Sequence, residues 1–243
     1  MDLLFVGTAS AVPEPERETA CLLVNGRHLV DAGWCAALKM LEYGVKPTAL
    51  ESVLFTHFHH DHCLGLPHIL FYNAMRGPRT QPLRIAGPAD HLENVLQAAQ
   101  AMLQMDRFPE LRLPLDLRPM QAGDSLDLDG VKLETISARH TSGVGVPEPA
   151  HSMRFTEAAS GTVVVYSGDT SANPDLVEFS RGADLLIHDA AHTRPAEAAE
   201  IARSAGVGWL LLIHYKLDRA SAILAEARDV FPASELAREG GRV

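Results

Sequence analysis

Four imidazoles and a carboxylate crowd into six residues, His57-Phe58-His59-His60-Asp61-His62, directly behind the apolar run Ser52-Val53-Leu54-Phe55. That run is short, bounded and rich in bulky apolar residues, so it predicts a buried strand. A buried strand end is a poor place for so many groups that need partners. A bound cation resolves the conflict, and imidazole with carboxylate suits zinc, manganese or iron. In extended geometry His57 and His59 point the same way. Asp61 and His62 follow where the chain turns towards the next helix, where they can face a second ion.

At 243 residues the chain is long enough for one large domain with its own core, and residues 1–243 are read as a single domain. No apolar run approaches the ~20 residues that span a bilayer. The start, Met1-Asp2-Leu3-Leu4-Phe5-Val6-Gly7, has no basic leader and reads as a first strand. Three widely spaced cysteines, Cys21, Cys35 and Cys63, suit a reducing compartment, so a cytoplasmic protein is expected, with Cys63 a buried free thiol. The net charge of −10 opposes a broad nucleic-acid-binding surface but leaves room for a local basic pocket.

Along the chain, strands are expected at 2–6, 20–24 and 28–31, the last two joined by an Asn25-Gly26 hairpin turn. The Pro-rich stretch 13–18 should be exposed. A helix over 36–43 closes at Gly44, Pro47 opens a short segment, and a helix from about Pro67 runs to Met75. A strand at 83–86 precedes a helix over 90–105, where Met102 and Met105 read as core filling. Further strands are expected at 111–117, 125–128 and 132–137, the last behind an Asp129-Gly130 turn, then at 163–167, 184–187 and 208–213. Helices are expected at 174–180, 195–205 and 220–229. The charged, Gly-rich tail 235–243 reads as frayed. Each half of the chain opens with strands and then alternates helix and strand. His140, Asp169 and His214 each follow one of the later apolar strands.

The pattern His57-x-His59-x-Asp61-His62 resembles the signature of the metallo-β-lactamase superfamily, and Gly65-Leu66-Pro67 narrows the likeness to its RNase Z-like branch. Gly7-Thr8 before a Pro-containing loop, Asp31-Ala32-Gly33, and His188-Asp189-Ala190-Ala191-His192-Thr193 resemble further elements of that branch. The resemblance implies an α/β four-layer αβ/βα sandwich over essentially the whole chain. It also implies two divalent metal ions, zinc in the first instance with manganese or iron as alternatives. His57, His59 and His140 would hold one ion and Asp61, His62 and His214 the other, with Asp169 bridging both. Asp31 would either hydrogen-bond a ligating histidine or serve as a plain turn residue.

Such a pair of ions, ~3.5–4 Å apart, generates hydroxide near neutral pH, and that hydroxide is the implied nucleophile. Asp61 would orient it or take its proton. Oxygen-reducing diiron relatives typically carry Glu where His59 stands, so hydrolysis is expected over redox chemistry. Asp189 and His192 would be the carboxylate–imidazole pair that protonates the leaving oxygen, a contribution of ~10²–10⁴-fold.

Two departures from the branch bear on the substrate. Only 28 residues separate His140 from Asp169, filled by a loop at 141–150 and a strand pair, with no room for the long arm that grips tRNA. The last motif continues His214-Tyr215-Lys216-Leu217-Asp218-Arg219, with Asp218 where the branch usually carries a phosphate-binding Arg. The expected activity is therefore a phosphodiesterase acting on a small-molecule phosphodiester or short nucleic acid. Arg139, Arg194 and Lys216 are candidate phosphate contacts. His60, His68, His91 and His151 read as surface or core histidines. Three other readings stay open: hydrolysis of carboxylic, thio or sulfate esters or lactones; tRNA 3′-processing; and a non-catalytic metal-binding sensor. No membrane partner is expected, and the resemblance points to a homodimer.

Overall fold

A computed structural model of the chain describes residues 1–141 and 145–243. The chain divides into two compact units, Asp2–Met120 with Glu239–Val243, and Met1 with Gln121–Arg238.

The first unit opens with β1 (Leu3–Gly7), β2 (Cys21–Val24) and β3 (His28–Val30), every residue of which is buried. Asn25 and Gly26 take φ of 50° and 67°, and Arg27 donates its N–H back to Val24 O at 3.1 Å. Two consecutive positive φ values make the tight hairpin turn whose twist matches its strands. The antiparallel trio then gives way to α1 (Ala36–Glu42), a 3₁₀ turn at Pro47–Ala49, and β4 (Ser52–Leu54). A one-turn helix α2 (His60–Cys63), then α3 (Leu66–Met75), β5 (Leu83–Pro88), α4 (Leu92–Met102) and β6 (Leu115–Met120) complete the unit. Helical crossovers make β3 through β6 parallel, and the sheet order is β1-β2-β3-β4-β5-β6. Its core gathers Leu23, Leu29, Met40, Val53, Phe55, Ile69, Leu70 and Ile85.

The second unit repeats the plan. β7 (Ser125–Asp127), β8 (Val131–Ser137), β9 (His151–Glu157) and β10 (Val163–Tyr166) form an antiparallel meander. Asp129 and Gly130, with φ of 56° and 91°, make its first turn. α5 (Asp175–Phe179), β11 (Leu185–Asp189), α6 (Pro195–Ala205), β12 (Trp209–Ile213), α7 (Ala220–Val230) and β13 (Ser234–Leu236) follow, with β10 through β13 parallel. The small residues Ala198, Ala199, Ala202 and Ala205 let α6 lie close on the sheet, and Gly206 ends it in a left-handed turn at φ 68°.

In each sheet polar residues stand at the carboxyl ends of strands, most of them strands with a parallel neighbour and one of them the antiparallel β8. His57 follows β4, His140 follows β8, Asp169 follows β10, Asp189 ends β11 and His214 follows β12. The carboxyl ends of parallel strands are where α/β sheets place their functional loops.

Several expectations change. The strand anticipated at 111–117 begins at Leu115 and runs to Met120, after a 3₁₀ turn at Pro109–Leu111. Pro119 lies in that strand because β6 is the sheet edge, where a missing N–H costs no ladder bond. The tail is ordered, not frayed: Leu3 and Val243 exchange N–H···O bonds at 2.9 and 3.0 Å, and Phe5 pairs with Gly240 and Gly241. The tail covers the free edge of β1, which would otherwise offer unpaired backbone groups. Glu18, in the stretch read as exposed, is buried. Met105 joins the core as expected, whereas Met102 is 66% exposed. His60, His68 and His91 lie on the surface and His151 is buried. Of the loop read at 141–150, residues 142–144 lie outside the described residues.

Candidate metal centre

Each unit carries its own cluster of imidazoles and carboxylates. In the first unit the chain leaves β4 through Thr56, and Asp31, just past the neighbouring β3, reaches across to it. Thr56 donates its N–H to Asp31 Oδ1 at 2.8 Å, and its hydroxyl lies 2.9 Å from Oδ2. The same Oδ2 lies 2.9 Å from His62 Nδ1. Asp31 is fully buried and held at φ 60°, a left-handed backbone that Asp tolerates better than most residues. Burial pushes its carboxyl up, while His62 and Thr56 oppose that shift.

These bonds assign the tautomers. With the Thr56 proton given to Asp31, the His57 Nδ1, 3.0 Å from Thr56 Oγ1, is the donor of that pair. His62 likewise donates from Nδ1 to the carboxylate. Both rings then present a lone pair at Nε2, the arrangement that metal-ligating histidines adopt. The His57 ring centroid lies 4.1 Å from that of His62 and 4.8 Å from that of His59, and His62 Nε2 faces Asp61 Oδ2 at 3.2 Å.

In the second unit Asp189 plays the part that Asp31 plays in the first. One oxygen lies 3.0 Å from His214 Nδ1 and the other 3.1 Å from His192 Nδ1. It also accepts the N–H groups of Ala191 and His192, at 2.9 and 3.0 Å. Burial works to raise the Asp189 carboxyl, but the bonds from His192 and His214 outweigh it and hold the group below its usual range. The same bond to Asp189 pushes the His192 imidazole up, against the effect of burial. Asp169 is buried beside them, with Oδ1 3.4 Å from His214 Nδ1 and Oδ2 3.7 Å from His192 Nδ1. Donor atoms of Asp169, Asp189, His192 and His214 all lie within 4.8 Å of one another. His140 is buried as well, its ring 4.9 Å from and nearly perpendicular to that of His192. His192 differs from its neighbours in being reachable, with a side chain 39% exposed. His214, like Asp31, has a left-handed backbone, at φ 62°. Strain of this kind persists where the surroundings over-determine the residue, as the Asp189 bond does here.

The donor set fits divalent metal. It combines neutral imidazoles oriented by carboxylates with further carboxylates alongside, the pattern of a ligating group with its supporting partner. Of the expected metal ligands, His57, His59, Asp61 and His62 lie in the first cluster and His140, Asp169 and His214 in or beside the second. Cys63 is half-buried, its Sγ 3.6 Å from Phe58 O, and burial pushes its thiol up to about 11. Of the proposed phosphate contacts, Arg139 lies 3.9 Å from Asp175, Arg194 is 3.4 Å from Glu226 on α7, and Lys216 is exposed. Thr56 immediately precedes the motif but carries no ligating group to mark it, and nothing local shows that Asp189 serves two imidazoles. Glu18 is hidden by Pro-rich surroundings that point to solvent.

A family profile described as "Anti-Pycsar protein Apyc1" matches residues 1–201. The chain is similar to the ribonuclease Z of Methanothermobacter thermautotrophicus, 27% identical over 98% of this chain and 94% of the relative. That alignment runs to 295 positions, longer than the chain itself, so the relative carries segments this chain lacks. Among solved structures it resembles the metallo-β-lactamase fold protein YhfI from Bacillus subtilis, with a TM-score of 0.80, 23% identity, and 100% and 98% of the two chains covered. It also resembles the short form of human tRNase Z, with a TM-score of 0.78, 21% identity and the same coverage. The fold class is the one expected, the α/β metallo-β-lactamase fold.

Proposed function

The chain belongs to the family of the anti-Pycsar protein Apyc1, in the RNase Z-like branch of the metallo-β-lactamase superfamily, and on that premise we propose a metal-dependent phosphodiesterase. The ligands in this reading are His57, His59 and His140 for one cation, and Asp61, His62 and His214 for a second, with Asp169 shared. Zinc suits these donors, as do manganese and iron. When bound, two such ions supply Lewis acidity and bring a water nucleophile to readiness near neutral pH.

The observation that carries the reading is the Asp189–His192 pair, with Nδ1 and Oδ2 3.1 Å apart. Attack at phosphorus breaks the P–O bond to the leaving group, which departs as an alkoxide and needs a proton. Asp189 holds the His192 imidazole in its charged form through Nδ1–H, and Nε2–H is then the proton to be given to the leaving oxygen. Asp189 also fixes His214, so one buried carboxylate orients a ligand and the acid together. Asp31 and Thr56 do the same for His62 and His57. Asp61 orients the attacking water. Arg139, Arg194 and Lys216 are the candidates to pair with phosphate oxygens.

A small substrate follows from the spacing. β9 begins at His151, so the chain between His140 and Asp169 leaves only the loop 141–150 for an arm. The ribonuclease named among the relatives supports a second reading, 3′-processing of tRNA. No described helix is long and apolar enough to cross a membrane. The three free cysteines suit a reducing compartment such as the cytoplasm.

The test is turnover of bis-p-nitrophenyl phosphate against matched carboxylate, thio and sulfate esters and lactones, together with a 3′-extended tRNA precursor. Selective phosphodiester cleavage supports the proposal. Cleavage of the tRNA precursor would favour the second reading. Preference for another ester, or a metal-replete protein inert to all of them, would overturn the proposal.

A further inference from the structure

α2 is a single turn, and its geometry is set from outside. Leu64 gives its N–H to His60 O at 3.0 Å. The Gly65 N–H, which a continuing helix would direct to the Asp61 carbonyl, goes instead to Ala32 O, also at 3.0 Å. The Asp61 carbonyl is met by the Thr19 hydroxyl at 2.8 Å. Thr19 is buried, and Glu18 Oε1 accepts its N–H at 2.7 Å, which leaves the hydroxyl proton to the Asp61 carbonyl.

The Glu18 carboxylate gathers the rest of the surroundings. Oε1 accepts the Trp34 N–H at 3.0 Å and Oε2 the Cys35 N–H at 2.5 Å. Those residues follow Asp31-Ala32-Gly33, and Ala32 also donates to His62 O at 2.7 Å. Glu18 is itself pinned: its N–H goes to Glu239 Oε1 at 2.5 Å, and its carbonyl accepts from Thr8 and Ala9 at 2.9 and 2.7 Å. Packing leaves no slack. A Cβ on Gly33 would overlap the Thr19 hydroxyl, and one on Gly65 would overlap Gly33 O.

We propose that Glu18 and Thr19 are positioning residues for Asp61. The Glu18 carboxylate holds the loop 33–35 and the Thr19 main chain together through their N–H groups, and the Thr19 hydroxyl proton goes to the Asp61 carbonyl, holding that main chain so that the Asp61 carboxylate meets the cation at one place. The inference rests on the reading of Asp61 as a metal ligand. A buried carboxylate in a surface loop is costly unless its partners repay it, and here the partners are the supports of the His-rich turn.

The test compares the metal-free full chain with its Thr19→Val, Thr19→Ser and Glu18→Gln variants by calorimetric titration with Zn²⁺ and by the visible absorption of the Co²⁺-loaded protein. Wild type taking up two ions supports the underlying reading. Thr19→Val is expected to lose ~10–100-fold in affinity for one ion and to alter the Co²⁺ spectrum. Thr19→Ser, which restores the hydroxyl, is expected to recover both. A purely structural role would lower the melting temperature and leave the spectrum unchanged. Wild-type affinity and spectrum in Thr19→Val would overturn the proposal while leaving the metal site standing, whereas a wild type that binds no ion would remove both. Should Thr19→Val fail to fold, Glu18→Gln carries the same comparison.

Discussion

His62 donates its Nδ1–H to Asp31 Oδ2 across 2.9 Å, with both side chains wholly out of solvent. The bond ties the strand-end loop after β3 to the His-rich turn after β4, and it decides which ring nitrogen is left to bind a cation. Asp31→Asn keeps the shape, and Asn accepts the left-handed backbone. It is expected to fold and to bind Zn²⁺ ~10–100-fold more weakly. Calorimetric titration checks this, and unaltered affinity would mean the bond does not matter.

Removal of a proposed ligand is a harsher change. His57→Ala and Asp169→Ala are each expected to abolish both metal loading and phosphodiester hydrolysis. Elemental analysis of the purified variants beside a turnover assay reads both quantities. Full activity in either variant would refute the assignment.

His192 should separate from the ligands in such experiments. His192→Ala is expected to lower turnover by ~10²–10⁴-fold with metal content unchanged. The loss should be smaller for a nitrophenyl ester than for an unactivated diester, because a good leaving group needs no proton. As the acid must be charged, wild-type activity should fall as pH rises through its raised pKa, and that limb should vanish in the variant. A loss of metal in His192→Ala would contradict the role.

Glu239 predicts a pH dependence of stability away from the metal ligands. Burial pushes its carboxyl up to about 7 from an ordinary 4.5. The folded state therefore favours the neutral form. Its contribution is fully present below the unfolded value and is lost as pH rises from about 4.5 through about 7. Glu239→Gln keeps an acceptor for the Glu18 N–H and has no charge to bury. It should flatten the stability profile across that window and stabilise the protein above it by roughly 1 kcal/mol, discounted for partial exposure. Denaturant midpoints at several pH values measure this, and parallel profiles for the two proteins would sink it.

The proposed ligands are legible because each is a polar group at or just past the end of an apolar strand, and that contrast survives in one dimension. His57, Asp61, Asp169 and His214 each stand out in this way, and the hairpins at Asn25-Gly26 and Asp129-Gly130 announce themselves by the backbone they require. Glu18 did not, since proline and charge around it predict solvent while its partners lie at Trp34 and Cys35, far along the chain. The tail is concealed for a similar reason: charge and glycine suggest fraying, but the open edge of β1 gives residues 240–243 somewhere to pair.

Local pattern by itself determined most of the strands and helices and the polar residues at the strand ends, because each depends on side-chain type and periodicity, and the resemblance of the motifs to the metallo-β-lactamase superfamily supplied the fold class and the set of candidate ligands. Only the folded chain decided which nitrogen each imidazole presents, that one Asp189 carboxylate serves both His192 and His214, and that Glu18 turns inward. Those facts depend on distances of about 3 Å between residues remote in sequence, and a hydrogen bond's direction is fixed by where its partner lies.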